Sequence, residues 1–381
     1  MIPGPIEFDP DVILAMGKPG TSHVAPDFIE VFGSALENMR KVWLAPSGQP
    51  FIMAGSGTLA MDMAASNLIG AGDNALVIST GYFGARYAEL LKRYGAKVTV
   101  ISSSIGDVPD IDEIEKELKN ADYKLLTFTH VDTSTAVKVD PEPIGKLGQK
   151  YNVLTVLDGV CSVAGEEIRQ EEWGIDIALT ASQKAIGVPP GLALLVASQR
   201  ALHTFKTRKS PVGNYYADWN NWLPVMEAYE SRKPSYFGTP AVSLVFALGV
   251  SLEQILKEGM DSRFERHAKV GSAFRAAFKA LCLDQIPCCD EVAANTLSAP
   301  KYPGGISGAE LLPEINRAGA ILAGGLHPEN KNTYFRIGHM GAVTQGDVLA
   351  TIGALETGLL KCGYKFTPGA GIDAAFQVLN S

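Results

Sequence analysis

Short apolar runs alternate with helical patterns from residue 51 to residue 196, and this alternation constrains the fold more than any other feature of the sequence. The runs lack polar alternation, as strands covered on both faces do; they are FIMAG, ALVIST, KVTVIS, KLLTFTH, VLTVLD, DIALTA and LALLVAS. Between them lie helical patterns such as PDIDEIEKELKNA, for which Asp110 is the expected N-cap. Strands and helices in this order form a mostly parallel, doubly wound sheet, so the sequence predicts an α/β fold.

The remainder of the chain has a different pattern. Residues 210–240 are aromatic and rich in Pro and Gly, which is typical of a functional segment or a subunit interface. A long helical stretch is expected over residues 242–281. A smaller α+β unit follows, with a helix near GAELLPEINRAG, strands at AILAGG and YFRIGHMG, and a final helix GDVLATIGALETGLLKCG.

The length of 381 residues favours two domains. We expect a large domain of residues 15–255. We expect a small domain of residues 256–381, which includes the N-terminal segment 1–14.

Composition argues against several classes of protein. The net charge of −8 disfavours nucleic acid or an anionic membrane surface as a partner, and no apolar run approaches the ~20 residues of a membrane-spanning helix. The five cysteines form no C-x-x-C pair, so we expect neither a disulfide framework nor a metal site. The N-terminus has no signal-peptide pattern. We expect a cytoplasmic protein and leave a mitochondrial or peroxisomal location open.

Ligands of an open parallel sheet bind at the carboxyl ends of its strands, so residues that follow the strands are the candidates for a site. The first run is followed by Ser56, Gly57 and Thr58 at the start of a helix. The free N–H groups of a helix start suit a phosphate, although the same residues also fit an ordinary N-cap and turn. They match neither the P-loop nor the dinucleotide fingerprint, which argues against ATP and NAD.

Two charged residues follow later strands. Asp158 ends the VLTVLD run, and Lys184 comes after the next strand. Taken singly, they fit a turn aspartate and a surface lysine. Together with a phosphate site they match pyridoxal 5′-phosphate. That cofactor requires a lysine for its Schiff base, an acid that keeps its pyridine nitrogen protonated, and an anchor for its phosphate.

Several motifs resemble those of the class V aminotransferases, a family of fold-type I enzymes that use pyridoxal 5′-phosphate. The motifs are TASQKAIGVPPG with VLDGVCS upstream, the opening PGP, SGT, THVDTST, YFGTP and RIGHMG. The resemblance covers nearly the whole chain and is greatest to the alanine–glyoxylate (serine–pyruvate) aminotransferases. It implies a fold-type I transferase in which a large domain with a mostly parallel sheet carries a smaller α+β domain.

The resemblance also implies a role for each motif residue in cofactor binding. Lys184 would be the Schiff-base lysine, Asp158 the partner of the pyridinium nitrogen, and Phe83 the aromatic residue stacked on the ring. Thr133 would bind the phenolic oxygen of the cofactor or a neighbouring atom. The phosphate would contact a set of small or polar residues: Ser56, Gly57, Thr58 and Gln183.

Other motifs imply contacts with the substrate and with a second subunit. Arg336 would bind the substrate carboxylate, and Gly4 would line the substrate side through its backbone. Tyr236 and Thr239 would reach the phosphate of the neighbouring subunit's cofactor, so the resemblance implies a homodimer with shared active sites. The remaining polar residues near the motifs are expected to be structural: His23, His339, Asp132 in a hydrogen-bond network, Cys161, Cys288 and Cys289.

The activity implied by the resemblance is transfer of the amino group from L-alanine to glyoxylate in a ping-pong cycle, with pyruvate and glycine as products. The partners are then small amino acids and 2-oxo acids. Alternatives within the fold are a serine–pyruvate, serine–glyoxylate, 2-aminoethylphosphonate or 3-hydroxykynurenine transaminase, and a cysteine desulfurase-like lyase. A nucleotide-binding α/β protein without pyridoxal phosphate is the alternative from another class.

Overall fold

A seven-stranded sheet organises the larger part of the molecule, with strand order β1-β9-β8-β7-β4-β2-β3. The computed structural model describes residues 1–18 and 20–381. The strands of this sheet are β1 (Gln49–Ala54), β2 (Asn74–Ser79), β3 (Lys97–Ser102), β4 (Leu125–Thr129), β7 (Leu154–Asp158), β8 (Ile177–Ala181) and β9 (Leu192–Ala197). Each coincides with one of the seven apolar runs. Four of them, β4, β7, β8 and β9, are buried at every position because helices cover both faces.

The sheet is mostly parallel, as predicted. The strands from β3 through β2, β4 and β7 to β8 pair in parallel, whereas β9 is antiparallel to both β8 and β1. The carboxyl ends of β2, β4, β7 and β8 therefore lie along one edge of the sheet, where the candidate residues follow.

Thirteen helices lie in the described residues. They are α1 (Pro10–Met16), α2 (Pro26–Val42), α3 (Gly57–Leu68), α4 (Tyr82–Arg93), α5 (Ile111–Asn120), α6 (Pro141–Lys150), α7 (Gln199–Thr207), α8 (Trp219–Glu230), α9 (Val242–Glu258), α10 (Met260–Ala280), α11 (Gly308–Arg317), α12 (Gln345–Lys361) and α13 (Ala370–Asn380). Asp110 caps α5 as predicted, since its Oδ1 accepts a hydrogen bond of 2.9 Å from Asp112 N. None of the helices in these residues has the length and apolarity to cross a bilayer.

Three expectations about elements need correction. The helical stretch over 242–281 is two helices, because Gly259 adopts a φ of +84° that an α-helix cannot contain. The helix at residues 345–361 is not the final one: α13 follows it and packs on α10. The strand expected at AILAGG contains only two residues, β11 (Ala323–Gly324).

A second hydrophobic core lies outside the main sheet. It joins α10, α11, α12 and α13 to a three-stranded sheet of β10 (Leu297–Ser298), β12 (Phe335–Gly338) and β11. A short hairpin of β5 (Val131–Asp132) and β6 (Val137–Lys138) follows β4. Two cores fit two domains, and the boundary between residues 255 and 256 stays a prediction. The N-terminal segment contacts both parts, since Ile6 N donates to Gln183 O and Gly338 N donates to Met1 O.

Candidate active site

Lys184 is buried in the loop that follows β8. Its Nζ donates a hydrogen bond to the carbonyl oxygen of Pro3. Gly4, with a φ of +125°, lies so close that a β-carbon placed on it would be 2.6 Å from Lys184 Nζ. Within residues 1–18 and 20–381, no carboxylate is in ion-pair distance of this amine. Lys184 is therefore a buried amine that faces the N-terminal segment instead of an acid.

Asp158 is buried at the carboxyl end of β7. Its Oδ1 accepts a hydrogen bond of 3.1 Å from Val160 N, and its Oδ2 accepts one of 3.4 Å from Thr129 Oγ1. Burial raises the pKa of the Asp158 carboxyl to about 6, because desolvation outweighs the stabilising Val160 bond, and the charge of Asp132 raises it further. The positive charge of Lys184 acts in the opposite direction and is a smaller contribution to the Asp158 pKa. Asp158 is thus a carboxylate in need of a cationic partner.

Asp132 fixes the start of α4, where Phe83 lies. Asp132 Oδ2 accepts hydrogen bonds from Phe83 N at 2.9 Å and Gly84 N at 3.4 Å. Its Oδ1 accepts from Ser134 N at 2.8 Å and Ser134 Oγ at 2.6 Å. Burial raises the pKa of the Asp132 carboxyl, and these four bonds oppose the rise. The predicted hydrogen-bond network around Asp132 is confirmed, and through it the half-buried ring of Phe83 is held at the edge of the sheet.

The loop between β1 and α3 lies against the ends of β7 and β8. A β-carbon on Gly57 would be 3.0 Å from Val160 Cγ2 and 3.1 Å from Ala181 Cβ, so only glycine fits without displacing these neighbours. Ser56 is exposed at the start of α3, and Thr58 Oγ1 accepts a hydrogen bond of 2.8 Å from Arg86 Nη2. Arg86 was not among the predicted site residues, although it lies in the GYFGAR segment after β2.

Gln183 has an unsatisfied polar atom. Its Oε1 is buried and has no hydrogen-bond partner among the described residues. A buried acceptor of this kind is destabilising unless a ligand or water completes it. Gln183 precedes Lys184, so the unsatisfied atom belongs to the same loop.

Arg336 reaches the site from β12. Its Nη1 donates to Thr133 O at 3.2 Å and its Nε donates to Gly324 O at 2.9 Å. Thr133 Oγ1 in turn forms a hydrogen bond of 2.7 Å with Cys161 Sγ. Within the described ranges no carboxylate pairs with Arg336, and burial lowers the pKa of its guanidinium. The result is a half-buried cation that is oriented by two carbonyl groups and is able to bind an anion.

Tyr236 and Thr239 are exposed on the single chain. Tyr236 is 64% exposed, and its ring centroid is 5.2 Å from that of His23. His339 is buried in the second core, where its ring stacks on Phe274 at 4.7 Å and its Nε2 shares a hydrogen bond of 2.9 Å with Ser298 Oγ. Burial lowers the pKa of His339 to about 3, so this histidine is neutral and structural, as expected.

Cys288 and Cys289 are far from the buried lysine. Cys288 N donates to Gly106 O in the loop after β3, and β3 is three strands from β7 in the sheet. Strand spacing places these two strands about 14 Å apart. Neither thiol lies beside Lys184 or Asp158, so the geometry gives no support to a cysteine-based lyase.

Comparisons with known proteins agree with this arrangement. Residues 13–327 match the family described as Aminotransferase class-V. Alanine–glyoxylate aminotransferase 1 of Saccharomyces cerevisiae is 36% identical over 366 residues, which cover 90% of this chain and 91% of the yeast protein. Serine–glyoxylate aminotransferase of Arabidopsis thaliana is 31% identical over 385 residues, which cover 99% of this chain and 94% of the plant protein. The crystal structure of ureidoglycine–glyoxylate aminotransferase from Bacillus subtilis has a TM-score of 0.93 at 26% identity and covers 100% of this chain and 97% of that chain.

These three relatives share a reaction type and differ in the amino donor that their names give. All three are aminotransferases named for glyoxylate, and their named donors are alanine, serine and ureidoglycine. The fold is that of the fold-type I aminotransferases, which confirms the predicted α/β class. The family match spans most of the chain, and the yeast relative is similar over nearly its whole length. This chain therefore belongs to the class V aminotransferase family.

Proposed function

We propose that this enzyme transfers the amino group of L-alanine to glyoxylate and produces pyruvate and glycine, with pyridoxal 5′-phosphate as cofactor. The observation that carries the proposal is the arrangement at the carboxyl edge of the sheet. A buried amine, Lys184, and a buried carboxylate, Asp158, share this edge with Arg336, a guanidinium to which the described residues offer no carboxylate. The 36% identity with an alanine–glyoxylate aminotransferase supports this choice of donor and acceptor.

The residues present fit the cofactor. Gln183 Oε1 is a buried acceptor without a partner in the described part of the chain, and Lys184 Nζ contacts a backbone carbonyl instead of an acid. When bound, pyridoxal 5′-phosphate supplies an electron-withdrawing ring that stabilises negative charge at the substrate Cα. The residues that would hold its phosphate are Ser56, Gly57, Thr58 and Gln183. Phe83 and Thr133 would contact its ring.

Lys184 would hold the cofactor and move the proton at the substrate Cα. The residue is only 8% exposed, and the Pro3–Gly4 backbone covers the amine. A base in this position acts on a carbon acid with little competition from water. The loop from residue 182 to residue 191 is held by Ser182, whose Oγ donates to Pro189 O at 2.8 Å and accepts from Leu192 N at 3.1 Å. The amine therefore moves on a well-anchored loop.

Asp158 would keep a proton on the pyridine nitrogen. Its pKa of about 6 reflects burial without an adjacent cation strong enough to offset the desolvation. A protonated ring nitrogen beside the carboxylate would supply that counter-charge and favour the ionised form of Asp158.

Arg336 and Gly4 would select the substrate. The guanidinium is oriented by Thr133 O and Gly324 O, and a carboxylate can bind its remaining donors in a charge-assisted pair. The close approach of Gly4 to Lys184 Nζ leaves little room beside the amine and favours a donor with a small side chain. Alanine satisfies both requirements.

The proposal includes a homodimer with shared active sites. Tyr236 and Thr239 are exposed in the single chain and lie near the end of the aromatic segment of residues 210–240, between α8 and α9. Exposed aromatic side chains of this kind are common at subunit interfaces. In a dimer these two residues would contact the phosphate in the partner's site.

Single-turnover spectroscopy of the purified protein tests the substrate pair. We expect L-alanine to abolish the visible absorption band of the bound cofactor with release of one pyruvate per site, and glyoxylate to restore the band with release of glycine. A band that ignores alanine and responds to L-serine, 2-aminoethylphosphonate or 3-hydroxykynurenine would overturn the proposed donor. A Lys184→Ala variant with normal turnover would overturn the role of Lys184, and absence of any band after added pyridoxal 5′-phosphate would overturn the proposed cofactor.

A further inference from the structure

Two adjacent cysteines, Cys288 and Cys289, take no part in the proposed reaction. Both side chains are exposed, and their sulfur atoms are 3.9 Å apart. They lie in the turn that connects α10 to β10, on the side of the molecule where β3 forms the edge of the main sheet.

The backbone of this turn is held on both sides of the pair. Cys288 N donates to Gly106 O at 2.9 Å, and Ile286 N donates to Ala299 O at 2.9 Å. A β-carbon on Gly106 would collide with the carbonyl oxygen of Ile286, so the two loops are in close contact. On the other side, Lys279 Nζ pairs with Asp290 at 2.6 Å. The two thiols therefore occupy a defined position instead of the end of a loose loop.

The pair is poorly suited to a disulfide. Consecutive Cα atoms lie about 3.8 Å apart across a trans peptide bond, whereas an unstrained disulfide requires a Cα separation of roughly 4.4–6.8 Å. Local desolvation, the neighbouring Cys289 thiol and the charge of Asp107 also raise the pKa of the Cys288 thiol. Less thiolate is present at neutral pH as a result, which slows oxidation and alkylation. These properties favour the reduced dithiol over a disulfide between Cys288 and Cys289.

We propose that Cys288 and Cys289 form a dithiol site that binds one trivalent arsenical by chelation. Soft sulfur ligands favour soft acceptor atoms, and two thiols on one rigid turn can bind the same atom. In the reaction an arsenoxide exchanges its As=O bond for two As–S bonds. Each thiol loses its proton, the oxygen leaves as water with both protons, and no atom is oxidised or reduced. This inference is independent of the proposed transaminase activity.

Native mass spectrometry of the reduced, cofactor-loaded protein with phenylarsine oxide tests the site. We expect one adduct per chain with loss of one water, reversed by 2,3-dimercaptopropanol and not by the same thiol concentration of glutathione. The second thiol acts at an effective concentration on the order of mM, so the parent affinity should exceed that of a single-thiol variant by roughly 10²–10⁴-fold. Cys288→Ser and Cys289→Ser should each lose this enhancement.

Cys282→Ser provides the matched control, because Cys282 is an exposed single cysteine in the turn that follows α10. Its affinity for phenylarsine oxide should equal that of the parent. Since both cysteines of the pair are exposed and distant from Lys184, Cys288→Ser and Cys289→Ser should retain the parent's cofactor band and turnover, which verifies that they are folded. The proposal is overturned if the parent forms no adduct, if Cys288→Ser binds as tightly as the parent, or if Cys282→Ser abolishes binding.

Discussion

At the scale of single residues, burial of the Asp158 carboxylate at the candidate site destabilises the fold. A carboxylate at the end of a buried strand is desolvated, and the described residues offset this with two hydrogen bonds and the more distant Lys184. The pKa is raised from 3.8 to about 6, so the folded chain retains the Asp158 proton over a pH range in which the unfolded chain releases it. The contribution of Asp158 to the free energy of unfolding therefore decreases as the pH rises from about 4 to about 6.

We predict that Asp158→Asn stabilises the cofactor-free protein at about pH 7.5 by up to about 3 kcal/mol, since two pKa units correspond to about that free energy. The gain should shrink as the pH falls below about 6 and vanish below about 4, where the Asp158 carboxyl of the parent becomes protonated in both the folded and the unfolded chain. Urea unfolding of the parent and variant at several pH values measures the difference. Asp122→Asn, at an exposed position, should unfold like the parent. A stability gain that is constant across this pH range would contradict the assignment.

Arg336 supports a prediction about substrate binding. We expect Arg336→Gln to raise the KM for L-alanine by roughly 10- to 150-fold, because a hydrogen bond to a charged group contributes about 1.5–3 kcal/mol. Steady-state kinetics with both substrates measures the effect. Arg169→Gln removes a half-buried arginine that pairs with Glu167 and Asp261, and it should leave KM unchanged. An unchanged KM in Arg336→Gln would show that the carboxylate binds elsewhere.

At the scale of elements, the start of α4 depends on a residue from another strand. The helix has Gly81 at its N-cap position, which has no side chain to satisfy the first amide groups. Asp132 of β5 accepts hydrogen bonds from two of these amides, at Phe83 and Gly84. The position of Phe83 and its degree of order therefore depend on the carboxylate of Asp132, which is distant in the sequence.

We predict that Asp132→Ala loosens the first turn of α4, because the alanine methyl group cannot accept the hydrogen bonds of the Phe83 and Gly84 amides. Loss of a cap destabilises a helix start by about 1–2 kcal/mol, so the amides of Phe83 and Gly84 should exchange with deuterium roughly 5- to 30-fold faster. Hydrogen-exchange mass spectrometry measures this, and the absorption band of the bound cofactor should shift as the Phe83 ring moves. Asp110→Ala, at the N-cap of α5, should increase exchange in α5 and leave the band unchanged. If the Asp132 variant exchanges like the parent, Asp132 is not a positioning residue for Phe83.

Elements of the main sheet could be predicted from sequence because each buried strand is a short apolar run. The antiparallel direction of β9 can also be predicted from the sequence. The ten residues from 182 to 191 contain no helix, and a parallel connection needs a crossover of a dozen or more residues. The break at Gly259 was missed because the helical pattern continues on both sides of it. The helix α13 was missed because it is short and follows the break at Gly363, Pro368 and Gly369.

The candidate site likewise contains features that the sequence predicts and features that it does not. Residues at strand ends, such as Asp158 and Lys184, are recognisable from their position after an apolar run. Contacts between distant segments are not, and two of them complete the site: the Pro3 carbonyl on Lys184 and the Arg86 guanidinium on Thr58. Such contacts depend on the folded path of the chain, which local patterns do not encode.

At the scale of the whole molecule, the N-terminal segment connects the site to both cores. Ile6 N bonds to the Lys184 loop through Gln183 O, and Gly338 N of β12 bonds to Met1 O. A movement of either core would therefore displace the Pro3–Gly4 backbone that covers Lys184.

Hybrid dimers test whether Tyr236 and Thr239 act across the subunit boundary. We predict that Lys184→Ala and the double variant Tyr236→Ala, Thr239→Ala are each nearly inactive as homodimers, the latter because two hydrogen bonds to a charged phosphate are lost. In a hybrid of the two, one site would receive both defects and the other site neither, so about half of the parental activity per dimer should return. Differently tagged subunits, purified in tandem after co-expression, allow the measurement. A hybrid of Lys184→Ala with Asp158→Asn is the control, because both residues lie in one chain and each site keeps one defect. No recovery in the first hybrid would place Tyr236 and Thr239 in the site of their own subunit. Recovery in the control would show that Lys184 and Asp158 of one chain do not serve the same site.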